Sequence, residues 1–530
     1  MMEKNIHTEA DNSLTRAMAL LFCGLFTMVA AAQMPKDKER ENLLDGLEYK
    51  VEAQISASGG LTPLWLNANK HGLSSLEKAN GYVRGSLIRR LSEDSLRRWG
   101  IGYGLDLALP YHYTSNVVVQ QAYGELRWLH GVLTVGAKEF PMELKNNQLS
   151  SGSQTLGINA RPIPQVRLAL PDYWVLPFGK DWLRIKGHIA YGIQTDDNWQ
   201  KDFTNSTKKH TEKARFHTKA GYLMIGNPER YFPLSVELGL EMAAQFGGTA
   251  YVPYGSEMRE YKGDNGLSGM WHAFIPGGAD VPEKGTEYQN AEGNQLGSWL
   301  MRVNYDADTW KLGFYVEKYF EDHSSMLQLD YNGYGTGDEW NSRKDRRYFV
   351  YDLKDMLLGL EINKKYGKWI RNIVLEYLYT KYQSGPVYHD HTPSLSDHIS
   401  GRDNFYNHYI YTGWQHWGQA LGNPLYRSPI YNEDGVIDFK DNRFLAFHLG
   451  VSGAPTDRLS YALKATYQIG YGTYDQPYHR SRHNTSTMLE VSYALPRGWD
   501  VRGAYGMDLG SILGENYGFQ LTVSKKGFFK

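Results

Sequence analysis

The chain reads as an all-β protein: a closed antiparallel transmembrane β-barrel of about eighteen strands, typical of outer-membrane proteins. Three observations predict this fold. Runs of roughly ten residues alternate apolar and polar positions, the length of a bilayer-spanning strand. The connectors between runs alternate short and long. An export signal stands ahead of them all.

The signal comes first. Arg16 precedes an apolar run over 17–32 that ends Ala30-Ala31-Ala32, a small-residue cleavage site. The reading is a Sec signal peptide over 1–32, cleaved near Ala32, rather than an anchor, for which the run is short. A lipoprotein centred on Cys23 is disfavoured, because bulky Phe22 precedes it. Cys23 is the only cysteine, so disulfides and thiolate metal sites are excluded from the remainder. The signal carries Lys4 and Arg16 against Glu3, Glu9 and Asp11. Without it, 55 basic and 55 acidic residues remain of the 57 and 58 in the whole chain. That balance offers no basic stripe for nucleic acid. Residues 33–46 are highly charged and read as a periplasmic lead-in.

From Leu47 onward no stretch approaches the ~18 continuous apolar residues of a spanning helix. Strands can still span if they close on themselves and pair every backbone group. Candidate strands lie near 47–57, 81–91, 99–109, 117–128, 132–138, 165–170, 182–194, 216–226, 234–246, 297–306, 309–320, 355–364, 368–382, 443–452, 458–469, 486–495, 499–508 and 516–525. The weakest, 132–138 and 165–170, leave sixteen strands as the alternative count. In 458–469, Leu459, Tyr461, Leu463, Ala465, Tyr467 and Ile469 share one face, and Ser460, Ala462, Lys464, Thr466 and Gln468 the other. A membrane barrel turns the first set to lipid and the second to a wet lumen.

Short turns at His130-Gly131, Asp306-Ala307-Asp308, Tyr366-Gly367, Gly453–Asp457 and Pro496-Arg497-Gly498 all fall on one side, which is then the periplasm. Segments 58–80, 139–164, 195–215, 247–296, 321–354 and 383–442 belong to the outside or fold back into the lumen, where loops can plug so wide a barrel. Ser74–Asn80 could supply one or two helical turns.

The richest chemistry lies in the longest connection. Arg402, Asp403, Asn404, Tyr406, His408, Tyr409, Tyr411, Trp414, Gln415 and Trp417 interleave planar rings with hydrogen-bonding groups. A pyranose needs that mixture: rings stack on its C–H faces, and polar groups meet its hydroxyls. Tyr406, Tyr409, Tyr411, Trp414 and Trp417 are the expected stacking residues. Arg402, Asp403, Asn404, His408 and Gln415 are the expected partners of hydroxyls or acidic groups. The same mixture also suits a loop packing its own aromatics over a barrel mouth.

Other constellations carry less. His389, Asp390, His391, Asp397 and His398 form a dense cluster, but their spacing matches no standard metal site, and neither metal nor cofactor is expected. Ser396-Asp397-His398 are merely adjacent, whereas triads are set by geometry. No nucleophile elbow or His-Glu-x-x-His is present, so an enzyme is not expected. Gly100, Gly102 and Gly104 share a strand face, where close packing against bare backbone is the expected role. Pro162 and Pro164 exclude a central strand from the 150–164 connector, which is read either as a lumen turn with Arg161 inside or as an ordinary loop.

Two blocks resemble a known family. They are Ser151-Gly152-Ser153 through Asn159-Ala160-Arg161-Pro162-Ile163-Pro164, and Gly401–His408 through Gly413-Trp414 and Gly422-Asn423-Pro424. Together they resemble the Wzi capsule-assembly family in its Bacteroidetes-type form, across nearly all of the chain from about Leu47. The resemblance implies a plugged eighteen-stranded outer-membrane barrel with a small periplasmic helical element. It implies a surface lectin that holds exported capsular polysaccharide, with outer-membrane lipid and the capsule export machinery as partners. Two departures stand out: no helical element is evident, and the chain ends Gly527-Phe528-Phe529-Lys530 rather than in an aromatic. The alternative function is a porin for oligosaccharides, whose lumen would be the working surface; a hydrolytic membrane enzyme ranks third.

Overall fold

The computed structural model describes residues 46–91, 99–227, 232–275, 293–321, 326, 329–331, 337–342, 346–349, 354–388, 393–394 and 399–529. Eighteen strands form one sheet. They are β1 (Leu47–Gly59), β2 (Ala79–Arg89), β3 (Trp99–Tyr111), β4 (Val118–Trp128), β5 (Gly131–Ala137), β6 (Gln165–Val175), β7 (Leu183–Ile193), β8 (Arg215–Ile225) and β9 (Leu234–Phe246), then β10 (Asn294–Asp306), β11 (Trp310–Phe320), β12 (Met356–Lys364), β13 (Asn372–Tyr379), β14 (Phe444–Gly453), β15 (Leu459–Gly472), β16 (Pro477–Ala494), β17 (Trp499–Gly510) and β18 (Asn516–Phe528). Every strand pairs antiparallel with its sequence neighbour. β1 closes the cylinder on β18, from Glu48 opposite Phe528 to Gly59 opposite Tyr517. Closure leaves no sheet edge, which a bilayer requires.

The alternation read from the sequence sorts inside from outside. Ile101, Leu105, Val135, Leu168, Leu238, Phe314, Phe447, Leu489 and Phe519 are exposed on the outer wall. Between them, Asp106, Glu125, Glu317, Glu376, His448, Lys464 and Thr522 are buried on the inner wall. Aromatic residues gather at the short-turn end, where Trp99 stacks on Trp128 at 6.3 Å, His130 on Trp174 at 5.6 Å, and Tyr305 meets Trp310 at 5.5 Å. An apolar band with an aromatic girdle is the exterior of a transmembrane barrel.

Inward-folded connections occupy the middle of the lumen. The 138–164 connection turns inward and bonds the inner wall. Lys145 pairs with Glu317 of β11, which also accepts from Ser153 Oγ and Gln154 N–H at 2.9 Å each. Glu376 of β13 accepts from Ser150 Oγ at 2.6 Å and Ser151 N–H at 2.8 Å. His448 of β14 lies 2.7 Å from the Leu149 carbonyl. The helical turn Leu64–Asn67 enters from another connection, with Trp65 donating to Thr466 at 3.1 Å. A charged space of about 620 Å³, lined by Lys50, Arg84, Asp106, Glu125 and Lys138 among others, remains near the short-turn end.

Three details differ from expectation. The helical turn is at Leu64–Asn67 and not Ser74–Asn80, where Glu77 N–H bonds the Ser75 hydroxyl and Ala79 already opens β2. β6 runs on to Val175 through a register shift between Leu170 and Trp174, around Pro171. β16 begins at Pro477, well before the expected 486. Beside Gly104 of β3 the space is taken by the Tyr123 ring of the adjacent β4, and beside Gly102 by Leu91 just after β2, so neighbouring wall residues and not lumen elements pack on that bare backbone. The signal, most of the lead-in, and the His389, Asp390, His391, Ser396, Asp397 and His398 group lie outside the described residues.

Candidate functional site

The 402–417 segment divides into a buried part and an exposed part. Tyr406 and Trp414 are fully buried and belong to the core inside the barrel. The Tyr406 ring stacks on Tyr426 at 3.9 Å and meets Tyr319 edge-on at 5.6 Å. Its hydroxyl donates to the Gln154 carbonyl and accepts from Asn423 N–H at 2.9 Å. Trp414 stacks on Phe216 of β8 at 5.6 Å, and its indole N–H donates to the Thr155 carbonyl at 2.9 Å. Tyr411 is buried too, donating to the Gly247 carbonyl at 3.0 Å. Gln415 is enclosed between Thr412 and Gly418 N–H. Trp417 is half-buried under the Arg161 guanidinium, 4.1 Å from its ring centre.

The stacking role expected of Tyr406, Tyr411 and Trp414 is therefore corrected, because protein already buries these rings, and so is the hydroxyl-binding role expected of Gln415, whose amide is buried and bonded within the plug. The two blocks noted in the sequence are one object, the plug. Gln154, Thr155 and Gly157 meet Tyr406, Trp414 and Leu421, and Asn159 Nδ2 donates to the Ala420 carbonyl at 3.1 Å. The connector is the lumen turn, with Arg161 inside and donating to Ser115 Oγ at 2.7 Å and Thr114 Oγ1 at 3.0 Å. His416 sits between the Arg161 and Thr195 carbonyls at 2.9 and 2.7 Å, and burial pushes its imidazole down to about 4.

Three of the remaining residues line an open groove of about 470 Å³. Asn404, His408 and Tyr409 are brought together there, with Tyr409 54% exposed. Asp403 is half-buried beside it, and the side chain of Arg402 lies outside the described residues. Asn407 fixes the groove floor: its amide donates to Asn404 Oδ1 and to the Phe439 carbonyl, both at 3.0 Å, and its oxygen accepts from Phe439 N–H at 2.8 Å. His408 Nδ1 accepts from Ile410 and Tyr411 N–H at 3.1 Å each, which pins the loop so that Tyr409 points out.

Sequence reading missed half of this groove. Lys209 reaches in from the 194–214 connection, donating to the His408 carbonyl at 2.7 Å and pairing with Asp438 at 3.1 Å. Lys440 pairs with Asp434. Burial alone would raise the Asp434 carboxyl, but Lys440 holds it below the ordinary value. Asp475 and Gln476 close the groove from the tight β15–β16 turn. Lys209, Asp434, Asp438 and Lys440 lie in polar stretches of sequence, and Asp475 follows the tyrosines of a strand end, so no local pattern joins them to the 402–417 segment. Just behind, Asp441 is fully buried, accepts from Gly472 N–H at 3.3 Å, and is pushed up to about 7 by burial. Among the described residues, no group of three or more His, Cys, Asp or Glu is placed to hold a metal ion.

Strand number, closure and the apolar exterior define the class: an outer-membrane type of transmembrane β-barrel. No family model matches the chain, and no curated protein matches it. Among solved structures it is similar to OccAB4 of Acinetobacter baumannii, at 10% identity over 92% of this chain and 100% of that one, with a TM-score of 0.42. It is also similar to OccD3 (OpdP) of Pseudomonas aeruginosa, at 9% identity over 94% and 96%, with a TM-score of 0.42. A third is the outer-membrane expressed OmpT of Vibrio cholerae, at 8% identity over 91% and 97%, with a TM-score of 0.34.

Proposed function

We propose that this chain is a surface lectin of the outer membrane that binds exported capsular polysaccharide and helps attach the capsule, in the manner of the Wzi family that its two plug blocks resemble. The observation that carries the reading is the split within one connection. Its buried rings fill the lumen, while Tyr409 and the polar groups around Asn404 are offered outside in a groove. A half-exposed ring beside amides, paired lysines and carboxylates suits a sugar, whose C–H face stacks and whose hydroxyls need donors and acceptors. A single such site binds weakly. A polymer that meets many barrels is held by their number. The capsule export machinery would deliver the polymer, and lipid would hold the barrels in place. The chain would act by binding, without turnover and without a cofactor.

The test is titration of refolded protein with a panel of purified surface polysaccharides. Wild type should bind at least one, and Tyr409→Ala should bind it more weakly with its fold intact. No binding across the panel, or shortening of the polymer during the titration, would refute the reading.

A further inference from the structure

The 247–293 connection reaches a place the groove does not use. Its helix, Leu267–Phe274, lies against the outside of the barrel. Alternation assigns the faces. On β8, Phe216 stacks on Trp414 of the plug and Tyr222 donates to Glu241, so both point inward, and His217 and Lys219 point outward. On β9, Ala243 belongs to the inner core, so Ala244 and Phe246 face out. Yet Ala244 and Phe246 are buried, in a cluster with Ala273 of the helix and with Tyr191 and Met270 packed on it.

Hydrogen bonds fix the helix there. Tyr191 donates to the Met270 carbonyl at 2.9 Å, and Gln295 Nε2 to the His272 carbonyl at 3.2 Å. Lys219 Nζ donates to the Phe274 carbonyl and lies 4.8 Å from the Phe274 ring centre. Polar side chains on the lipid side of a barrel are costly toward the bilayer midplane, and here the helix covers them.

The opposite face carries Leu267, Trp271 and Ile275, spaced i, i+4 and i+8, which are 84%, 58% and 45% exposed. We infer that this helix is a lateral anchor: its Leu267–Trp271–Ile275 stripe lies in the interfacial region of the outer leaflet. The occupant is lipid because the stripe continues the lipid-facing band. Exposed Leu238 of β9 and Ile189 of β7 stand below the covered positions on the same outer wall. A short helix with one exposed apolar face, packed on the wall where a barrel leaves the bilayer, suits an interfacial site, and tryptophan favours that depth. This inference is independent of what the groove binds.

The test uses the full chain carrying Cys23→Ser, refolded into phosphatidylcholine vesicles. Leu267→Cys and Ile275→Cys are each labelled with a polarity-sensitive fluorophore, and Glu257→Cys, exposed in the hairpin that pairs Thr249–Tyr254 with Glu257–Lys262, is the water-exposed reference. Ser268→Cys, on the same arc, replaces either position if folding fails. The stripe labels should emit at shorter wavelength than the reference and lose at least half their intensity when the lipid chains are brominated. Stripe labels that behave like position 257 would overturn the inference. A wavelength shift that grows with protein density, without bromine quenching, would mean that a second protein covers the stripe, and would overturn it equally.

Discussion

Trp414→Ala should open the plug without opening the barrel. The indole is fully buried, stacked on Phe216 at 5.6 Å and bonded to the Thr155 carbonyl at 2.9 Å. Truncating a buried tryptophan costs about 3–5 kcal/mol, and orphaning a buried carbonyl about 1–3 kcal/mol more. Trp414 also borders an internal cavity of about 100 Å³, so the enlarged space can admit water and relieve part of both terms. A net loss near 4 kcal/mol is expected, or roughly a thousandfold in the opening equilibrium. It falls on the plug, because the strand ladder does not pass through Trp414. Hydrogen exchange reads this directly. Gly157 N–H bonds the Leu421 carbonyl at 2.9 Å, and Leu421 N–H the Trp414 carbonyl at 3.0 Å. Both amides should exchange about a thousandfold faster in the variant, while those of β15 and β16 keep their rates. Unchanged plug amides, or plug and barrel accelerating together, would refute the claim that Trp414 holds an independent plug.

Other outcomes follow from the same geometry. Tyr409→Ala should leave thermal stability unchanged and weaken saccharide binding roughly five- to tenfold, the scale of one lost ring contact, as measured by titration. Glu317→Ala removes the acceptor of Lys145, Ser153 and Gln154 and leaves a buried lysine unpaired. It should loosen the 145–155 segment by about 3–5 kcal/mol, seen as faster exchange there. Asp441 gives a pH effect of definite sign. Its carboxyl titrates near 4 when unfolded and about 7 when folded, so the folded plug holds the extra proton between those values. The Asp441 contribution to plug stability should fall by on the order of 3 kcal/mol as pH rises from about 4 to 7, then level off, and it is read as the difference in pH-dependent exchange between wild type and Asp441→Asn. His416 works oppositely, losing stability as pH falls toward 4, but it is common to both proteins and cancels in the comparison.

The strands were legible because the two walls meet different solvents, which imposes a period of two wherever lipid is outside. Even 132–138 and 165–170 are strands. The second half of β6 is hidden from sequence because Pro171 and the register shift there break the alternation. The outer end of β16 was silent for another reason. His479-Arg480-Ser481-Arg482-His483 is polar on both faces and so carries no hydrophobic period. The site was half legible. Rings mixed with amides describe both a sugar cradle and a plug core, and composition cannot separate Tyr409 from Tyr406. That separation comes from contacts hundreds of residues apart, such as Tyr406 with Gln154, that local pattern does not encode. The outward turn of the Leu267–Phe274 helix was equally hidden, since it depends on which side of β9 the loop returns to.

Single-channel recording of the wild-type protein in a planar bilayer tests the account at its centre. A barrel whose lumen is filled by the 150–164 and 404–424 segments should insert without large, steady conductance steps. Steps the size of an open pore of this strand number would show that the lumen is a path, and that the outer groove is not where the molecule does its work.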